Sequence, residues 1–238
     1  MVLFYFPDVA FSDLITLPED ESRHCVRVMR LSEGCEIYVA DGHGLMCRCQ
    51  IVHADSSECV AQVLERMPNY DSRNYHLHVA VAATKNAARI EWFVEKAIEI
   101  GIDEITILEC DNSEHTNLRA ERLQKIAISA MKQSLRATLP AIHSSVQYSE
   151  FMKQLEHTAQ PLSKLICHCE GSQRTGIKQV CDKGDHVVVL IGPEGDFSES
   201  EIAMAKQCGF CPITLGTWRL RTETAALYAV AAVNFINS

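Results

Sequence analysis

Two short stretches in the C-terminal third of the chain combine charged side chains with glycines that let a backbone approach a ligand closely. The first is Gly192-Pro193-Glu194-Gly195-Asp196, which follows an apolar run ending at Ile191. It lacks the lysine of a phosphate-binding P-loop and the spacing of a dinucleotide-binding glycine motif, and its two acids would repel a pyrophosphate. The loop therefore favours a neutral or cationic ligand. The alternative is a strand-to-helix turn whose glycines serve only the backbone.

The second stretch runs from Leu215-Gly216 to Arg221-Thr222-Glu223-Thr224 and leads into an apolar helical pattern. Glu223 falls in the first turn of that helix, where an acid is favourable. Arg219 and Arg221 gain nothing there, because cations are mildly unfavourable at a helix N-terminus. This placement indicates that Arg221 binds a carboxylate or a phosphate. The alternative is an exposed arginine without a ligand.

The elements that position these stretches are typical of an α/β fold. His186 to Ile191 is an almost continuous apolar run, as expected for a strand covered on both faces. Ser198 and Glu201 have the spacing of a capping box, and Gly209 suits the position just after the helix that follows. Because ligands bind where the strands of open α/β sheets end, the loop at 192–196 is the first candidate for a site.

The alternation of strands and helices continues through the C-terminal part of the chain and predicts a mainly parallel sheet. The predicted strands are Tyr75 to Ala82, Glu104 to Leu108, Leu165 to His168, Val187 to Ile191 and Pro212 to Leu215. The predicted helices are Lys85 to Ile100, Ala120 to Ala137 and Glu223 to Asn237, the last with Thr222 as its N-cap.

The first 70 residues differ, because short apolar runs separated by turn residues predict a compact β barrel. One helix, beginning near Pro18, carries Arg23, Arg27 and Arg30 at spacings that place them on one face, with His24 beside them. This face could contact nucleic-acid phosphates or could simply be solvated. A polar stretch at 67–74 predicts a linker, with domains at 1–72 and 73–238.

The charge distribution limits the kind of partner. The net charge is −9, so any nucleic-acid site must be a local basic patch on an acidic protein. The apolar N-terminus lacks a basic leader, and no run of about 18 apolar residues occurs, so neither a signal peptide nor a membrane span is expected.

The eleven cysteines allow two interpretations. Cys167-His168-Cys169 and the Cys208/Cys211 pair resemble zinc ligands, but structural zinc sites normally present two spaced pairs, and only one is present. We therefore expect reduced thiols that act as small core residues, and no metal. A zinc or redox protein is the alternative.

The two C-terminal stretches together resemble a known family. LIGPEGDFSESE at 190–201, followed by LGTWRLRTETA at 215–225, is similar to the RsmE family of SPOUT-class methyltransferases. Further similarity is found in Lys85-x₃-Arg89-x-Glu91-Trp92, in the Gln133-Ser134-x-Arg136 motif and in His24-x₂-Arg27-x₂-Arg30. The resemblance thus covers essentially the whole chain.

The resemblance implies that the protein uses S-adenosyl-L-methionine to methylate N3 of a uridine in 16S ribosomal RNA of the small ribosomal subunit. It implies a C-terminal domain with a trefoil knot, an N-terminal PUA-like β barrel that helps to hold RNA, a homodimer and a cytoplasmic location. The alternatives are a methyltransferase for a different RNA and a non-catalytic RNA-binding or ribosome-assembly factor.

The resemblance also implies roles for individual residues. The cofactor would be bound by Leu190, Ile191, Gly192, Pro193, Glu194, Gly195, Leu215, Gly216, Leu220, Thr222 and Thr224. RNA would be bound by Arg23, His24, Arg27, Arg30, Lys85, Arg89, Gln133 and Arg136. In catalysis, Arg221 would stabilise a uracil anion or anchor a phosphate, and Glu223 is a weaker candidate for a general base.

Three departures from the family's common pattern concern loop detail and RNA contacts, and one is Ser113-Glu114-His115, where a basic residue often follows Ser-Glu. Asp196 stands where many members have a second glycine, and Trp218-Arg219 stands where many have a basic and then an aliphatic residue. Because the other motif residues are in place, we expect activity to be retained.

Overall fold

The computed structural model describes residues 1–114, 118–156, 162–169 and 174–238. They form two compact units, the first made of Met1–Ser72 with Ile128–Leu139 and the second of Arg73–Ala127 with Pro140–Ser238. Residues 128–139, which the sequence places in the C-terminal domain, therefore pack with the first unit. Within the described ranges, no helix combines the length and apolarity needed to span a membrane.

The first unit is built on a mixed five-stranded sheet. In spatial order the strands are β1, β3, β4, β5 and β2, and β1 pairs parallel to β3 while the other pairs are antiparallel. Their bounds are β1 Leu3–Tyr5, β2 Leu14–Thr16, β3 Glu36–Ala40, β4 Met46–His53 and β5 Val60–Met67. Strand β2 was not predicted, because its three residues are too few to establish an alternating pattern.

The core of this unit contains four of the cysteines, which are fully buried among aliphatic side chains: Cys25, Cys47, Cys49 and Cys59. Burial raises the pKa of the Cys25 and Cys49 thiols to about 12, so both stay neutral at physiological pH. Their role as small core residues is confirmed.

The predicted arginine face is partly wrong. Helix α1 covers Glu19–Arg23 and continues as a π-helical turn, His24–Val28, in which the amide of Met29 donates to the carbonyl of His24 at 2.9 Å. The wider turn changes the angular spacing of the side chains. Arg30 lies beyond the helix with a φ of 55°, so it does not continue the face of Arg23 and Arg27. All three arginines are exposed.

The second unit contains a seven-stranded sheet in the spatial order β10, β12, β9, β11, β6, β7, β8. Every pair in it is parallel, so the predicted mainly parallel sheet is confirmed. The strands are β6 His76–Ala82, β7 Glu104–Glu109, β8 Ala141–Gln147, β9 Ser163–Cys167, β10 Thr175–Gly176, β11 His186–Ile191 and β12 Cys211–Thr214. The trefoil knot stays a prediction, since strand order does not describe how the loops are threaded.

The described residues contain five further α-helices: α2 Ala87–Ile100, α3 Ala120–Gln133, α4 Tyr148–Glu156, α5 Glu199–Gln207 and α6 Thr222–Asn237. Helix α3 ends four residues earlier than predicted, because Leu135 takes a left-handed φ of 58° and the amide of Arg136 turns back to the carbonyl of Met131. The capping box of α5 is confirmed: the Ser198 hydroxyl accepts from the Glu201 amide, and the Glu201 carboxylate accepts from the Ser198 amide.

Candidate active site

A cavity of about 560 Å³ lies at the carboxyl ends of three neighbouring strands of the second unit. It is lined by the loops that follow β9, β11 and β12 and by the first turn of α6. This is the edge where ligands bind in open α/β sheets, and the volume is in the range of small-molecule sites.

The structure brings most of the predicted cofactor residues to this cavity. Its lining includes Ile191, Gly192, Pro193, Glu194, Leu215, Gly216, Leu220, Thr222 and the predicted catalytic Arg221. Leu190 is instead fully buried in β11. Gly195, Thr224 and Glu223 lie outside the lining of the cavity.

The sequence did not identify several lining residues. The end of β9 contributes Cys167, the loop after it contributes His168 and Cys169, and the loop after β12 contributes Trp218. The residues at 167–169 lie at the end of a predicted strand, a position that could have identified them as site residues. They were interpreted only as possible zinc ligands or core residues because two of them are cysteines. Among the described residues, no group of three or more His, Cys, Asp or Glu has the arrangement to hold a metal.

The start of α6 is tied to the loop after β11. The Thr222 hydroxyl donates to the carbonyl of Gly192 at 3.0 Å in a buried contact. Thr222 is therefore the first helical residue and not the predicted N-cap, a position that Arg221 takes without capping the helix through its side chain. The hydroxyl is used in a contact between two walls of the cavity, which the local sequence pattern could not show.

Glycine relieves crowding at the turn that leaves β11. A Cβ at Gly192 would lie 3.1 Å from Cδ2 and 3.3 Å from the amide nitrogen of Phe197, both tighter than ordinary contacts. Phe197 is itself buried in the core, so it has little room to move. The sharp turn brings the backbone of 191–194 to the cavity wall.

Asp196 joins two of the three loops. Its carboxylate accepts a hydrogen bond of 2.7 Å from the amide of Cys169 and one of 2.9 Å from the amide of Phe197. The Asn112 side chain also donates to the Asp196 carbonyl at 3.1 Å. The residue has a φ of 64°, a left-handed conformation that aspartate tolerates better than most side chains. It therefore holds the loop after β9 against the loop after β11.

An arginine connects two acids next to the cavity. Arg89, on α2, lies 3.6 Å from a carboxylate oxygen of Glu194 and 3.8 Å from one of Glu223. Glu223 is only 7% exposed, and its other carboxylate oxygen has no hydrogen-bond partner among the described residues. A general base must reach the proton it removes, so this placement favours a role for Glu223 in positioning Arg89.

The basic side chains near the cavity are exposed. Arg219 and Arg221 both reach solvent, and Arg219 donates to the carbonyl of Glu194 at 3.3 Å. Arg174 donates to the carbonyl of His168 at 3.0 Å. The cavity thus carries acids on the loop after β11 and cations on the loops after β9 and β12, so its lining can accept both a positive ligand and an anionic one.

The remaining predicted RNA-binding residues occupy different environments. Lys85 is exposed just before α2 and pairs with Glu114 at 3.1 Å, and Gln133 is exposed at the end of α3. His24 is half-buried, with its ring 5.9 Å from that of Phe4. The Arg136 side chain is 12% exposed and pairs with Asp71 at 3.2 Å. Arg136 therefore has a structural contact within the first unit.

Comparisons with known proteins agree with this architecture. The family model for the RNA methyltransferase domain matches residues 71–234, and the RNA methyltransferase PUA domain matches residues 17–64. The predicted PUA-like N-terminal domain is thereby confirmed.

Three relatives are informative. Ribosomal RNA small subunit methyltransferase E of Mesomycoplasma hyopneumoniae is 30% identical over 71% of this chain and 73% of its own length. A probable rRNA methyltransferase from Porphyromonas gingivalis superposes with a TM-score of 0.90 at 37% identity, covering 100% of this chain and 98% of that one. The Neisseria gonorrhoeae methyltransferase E bound to S-adenosyl methionine has a TM-score of 0.81 at 27% identity, with coverage of 100% and 98%. The predicted family is therefore confirmed, and this chain belongs to the ribosomal RNA small subunit methyltransferase E family.

Proposed function

We propose that this protein transfers a methyl group from S-adenosyl-L-methionine to N3 of a uridine in 16S ribosomal RNA. The observation that carries the proposal is the cavity at the ends of β9, β11 and β12, which the two family motifs line together. The Neisseria gonorrhoeae relative, whose structure contains S-adenosyl methionine, supports the choice of cofactor.

The cavity fits this cofactor. Its volume of about 560 Å³ suits a molecule of nucleoside size, and Glu194 and Asp196 place negative charge near a ligand that carries a sulfonium. The residues that would hold it are Ile191 to Glu194, with Leu215, Gly216 and Leu220 from the loop after β12. The bound cofactor supplies an electrophilic methyl group, and the protein chiefly provides orientation.

The protein must also deal with the N3 proton of the uracil. As that proton leaves, negative charge develops on the ring and its carbonyl oxygens. Arg221 lines the cavity and reaches solvent, so its guanidinium can stabilise this charge or hold a flanking phosphate. Because N3 lies on the Watson–Crick edge, the uridine must be unpaired when it reacts.

Two measurements test the proposed function. Calorimetry should detect S-adenosyl-L-methionine binding, and mass mapping should find one uridine methylation in small-subunit RNA that disappears when the gene is removed. The purified protein should then restore the modification on small subunits from the deletion strain. A modification found instead in another RNA would contradict the assignment of the substrate, and absence of cofactor binding would indicate a non-catalytic RNA-binding factor.

Asp196 should control cofactor affinity. Replacing Asp196 with glycine keeps the left-handed φ but removes the hydrogen bonds to Cys169 and Phe197. We expect the Kd for S-adenosyl-L-methionine to rise about 5- to 10-fold, the effect of about 1 kcal/mol from one such bond. Calorimetry measures this change.

Asp196→Asn is the matched control, because asparagine tolerates the same φ and retains an acceptor oxygen. It should bind the cofactor more tightly than Asp196→Gly. Equal, wild-type affinity in both variants would show that the link between the two loops has no influence on the site.

The exposed arginines of the first unit should contribute to RNA binding. We expect Arg23→Ala/Arg27→Ala/Arg30→Ala to reduce the slope of log affinity against log salt by about 0.7 to 0.9 for each RNA phosphate that the variant no longer neutralises. Filter binding to 16S RNA over a range of salt concentrations measures the slope. Arg48→Ala is a control on the same unit, because Arg48 pairs with Glu36 and Glu65 on the sheet. An unchanged slope in the triple variant would refute the assignment.

We further propose that the protein works as a homodimer in the cytoplasm, where the small ribosomal subunit is found. Exposed apolar side chains on one face of α6, including Tyr228, Ala231 and Phe235, support self-association. Phe235 is 77% exposed, so a second copy packed on this face of α6 would bury a large apolar side chain. Sedimentation velocity would measure the oligomeric state.

A further inference from the structure

Trp218 is the feature of the site that the mechanism does not use. The side chain is 85% exposed, on the loop between β12 and α6, at the edge of the cavity. Burial in the core therefore does not explain its presence. Because tryptophan combines a large flat apolar surface with one polar group, an exposed indole is typical of a surface that contacts a partner.

The surroundings of Trp218 indicate the kind of partner. Gly216, Thr217 and Arg219 are exposed beside it, and exposed Arg221 follows. Polar and cationic neighbours are poorly suited to an apolar protein interface, while an aromatic face next to guanidinium groups is the combination that binds single-stranded nucleic acid. The cations are local, since the protein as a whole has a net charge of −9.

We propose that the indole of Trp218 is a stacking platform for a nucleobase of the RNA substrate, with the guanidinium of Arg219 next to the RNA backbone. This inference rests on the proposed function. Methylation at a Watson–Crick edge requires RNA in which bases are unpaired and turned out of the stack. A base that leaves the stack no longer has a neighbouring base against its face. Trp218, at the mouth of the cavity, replaces that partner.

The two tryptophans of the chain allow a direct test. Trp92→Phe leaves Trp218 as the only tryptophan, and its fluorescence should be quenched on titration with unmodified 16S ribosomal RNA. In the matched Trp218→Phe variant, only Trp92 on α2 remains, and quenching should be much weaker. If the emission of Trp218 does not respond to RNA but shifts with protein concentration, the indole is covered by a second copy and the proposal is overturned.

Affinity measurements give an independent readout. Trp218→Ala should weaken RNA binding by about 5- to 150-fold, the range measured when one base loses its aromatic stacking partner. Trp218→Tyr should recover a large part of this loss because it retains an aromatic face, and the thermal unfolding midpoint of all variants controls for misfolding.

The outcomes separate the two proposals. If Trp218→Ala binds RNA as tightly as the wild type, and the wild-type protein methylates 16S RNA, the stacking role of Trp218 is wrong and the proposed function stands. If the wild-type protein neither binds nor methylates 16S RNA, the proposed function and the platform are both wrong.

Discussion

Arg221→Ala is expected to lower the rate of methyl transfer by about 100- to 1,000-fold, the usual effect of removing one group that stabilises charge in a transition state. S-adenosyl-L-methionine binding should change little, because Arg221 is exposed and cationic, and a positively charged cofactor is not attracted to it. Stability should not fall, since a cation at the N-terminus of α6 gains nothing from the helix dipole.

Single-turnover methylation of unmodified small subunits at saturating RNA measures this rate. Arg221→Lys should retain part of the activity, because it keeps the charge but loses the planar fork of donors. Arg122→Ala is a suitable control, since Arg122 is an exposed arginine of the same unit that pairs with Glu91. Wild-type turnover in Arg221→Ala would refute the proposed role.

Asp71→Ala is expected to cause the largest loss of stability, about 2–4 kcal/mol, somewhat below the range for breaking a fully buried ion pair. The Asp71 carboxylate accepts from Arg136 at 3.2 Å, from the amides of Ala137 and Thr138 at 3.3 and 3.2 Å, and from the Thr138 hydroxyl at 2.7 Å. Its removal deletes the acceptor of all four hydrogen bonds, two of which come from backbone amides.

Urea unfolding measures the effect. Asp13→Ala is the control, because Asp13 pairs with Arg66 at 2.9 Å in a largely exposed position, and such pairs contribute about 0–1 kcal/mol. An equal decrease in the free energy of unfolding in the two variants would show that the hydrogen bonds of Asp71 stabilise the fold no more than an exposed ion pair does.

The same carboxylate predicts a dependence on pH. Burial tends to raise the pKa of Asp71, but the Thr138 hydroxyl and the Arg136 guanidinium outweigh it, and the pKa is lowered from its ordinary value of 3.8. A lowered pKa stabilises the folded state above the unfolded-state value, and this stabilisation is lost as the pH falls through the folded-state value. The stability difference between wild type and Asp71→Asn should therefore be constant near neutral pH and shrink below about pH 3.8.

The elements around the first motif were predictable because local patterns agree there. The apolar run of β11, the glycine turn and the capping box of α5 each have their own sequence signature. Strand β8 has none: Ala141–Gln147 alternates between exposed and half-buried residues at a sheet edge, and α4 follows it without a loop. Strand β8 was missed because no apolar periodicity or turn marks its limits. Helix α4 was overlooked although its buried side chains have the i, i+3, i+4, i+7 spacing of an amphipathic helix: Tyr148, Phe151, Met152 and Leu155.

The site was predictable where a loop carries a motif and not where it depends on distant contacts. The two motif loops were identified with most of their lining residues. The hydrogen bond from Cys169 to Asp196 and the one from Thr222 to Gly192 join residues 27 and 30 positions apart. Spacing rules for a single helix or turn do not extend over such separations.

The membership of residues 128–139 in the first unit has a consequence for biosynthesis. Lys132 pairs with Glu21 at 2.5 Å, and the amide of Gly44 donates to the carbonyl of Ala137 at 3.1 Å, so the N-terminal residues depend on chain that is translated much later. Domains of multidomain proteins usually fold in the order in which they are synthesised. During synthesis, residues 1–72 therefore lack the contacts of residues 128–139 until residue 139 has left the ribosome. Residues 73–127, which belong to the second unit, are synthesised between these two parts of the first unit.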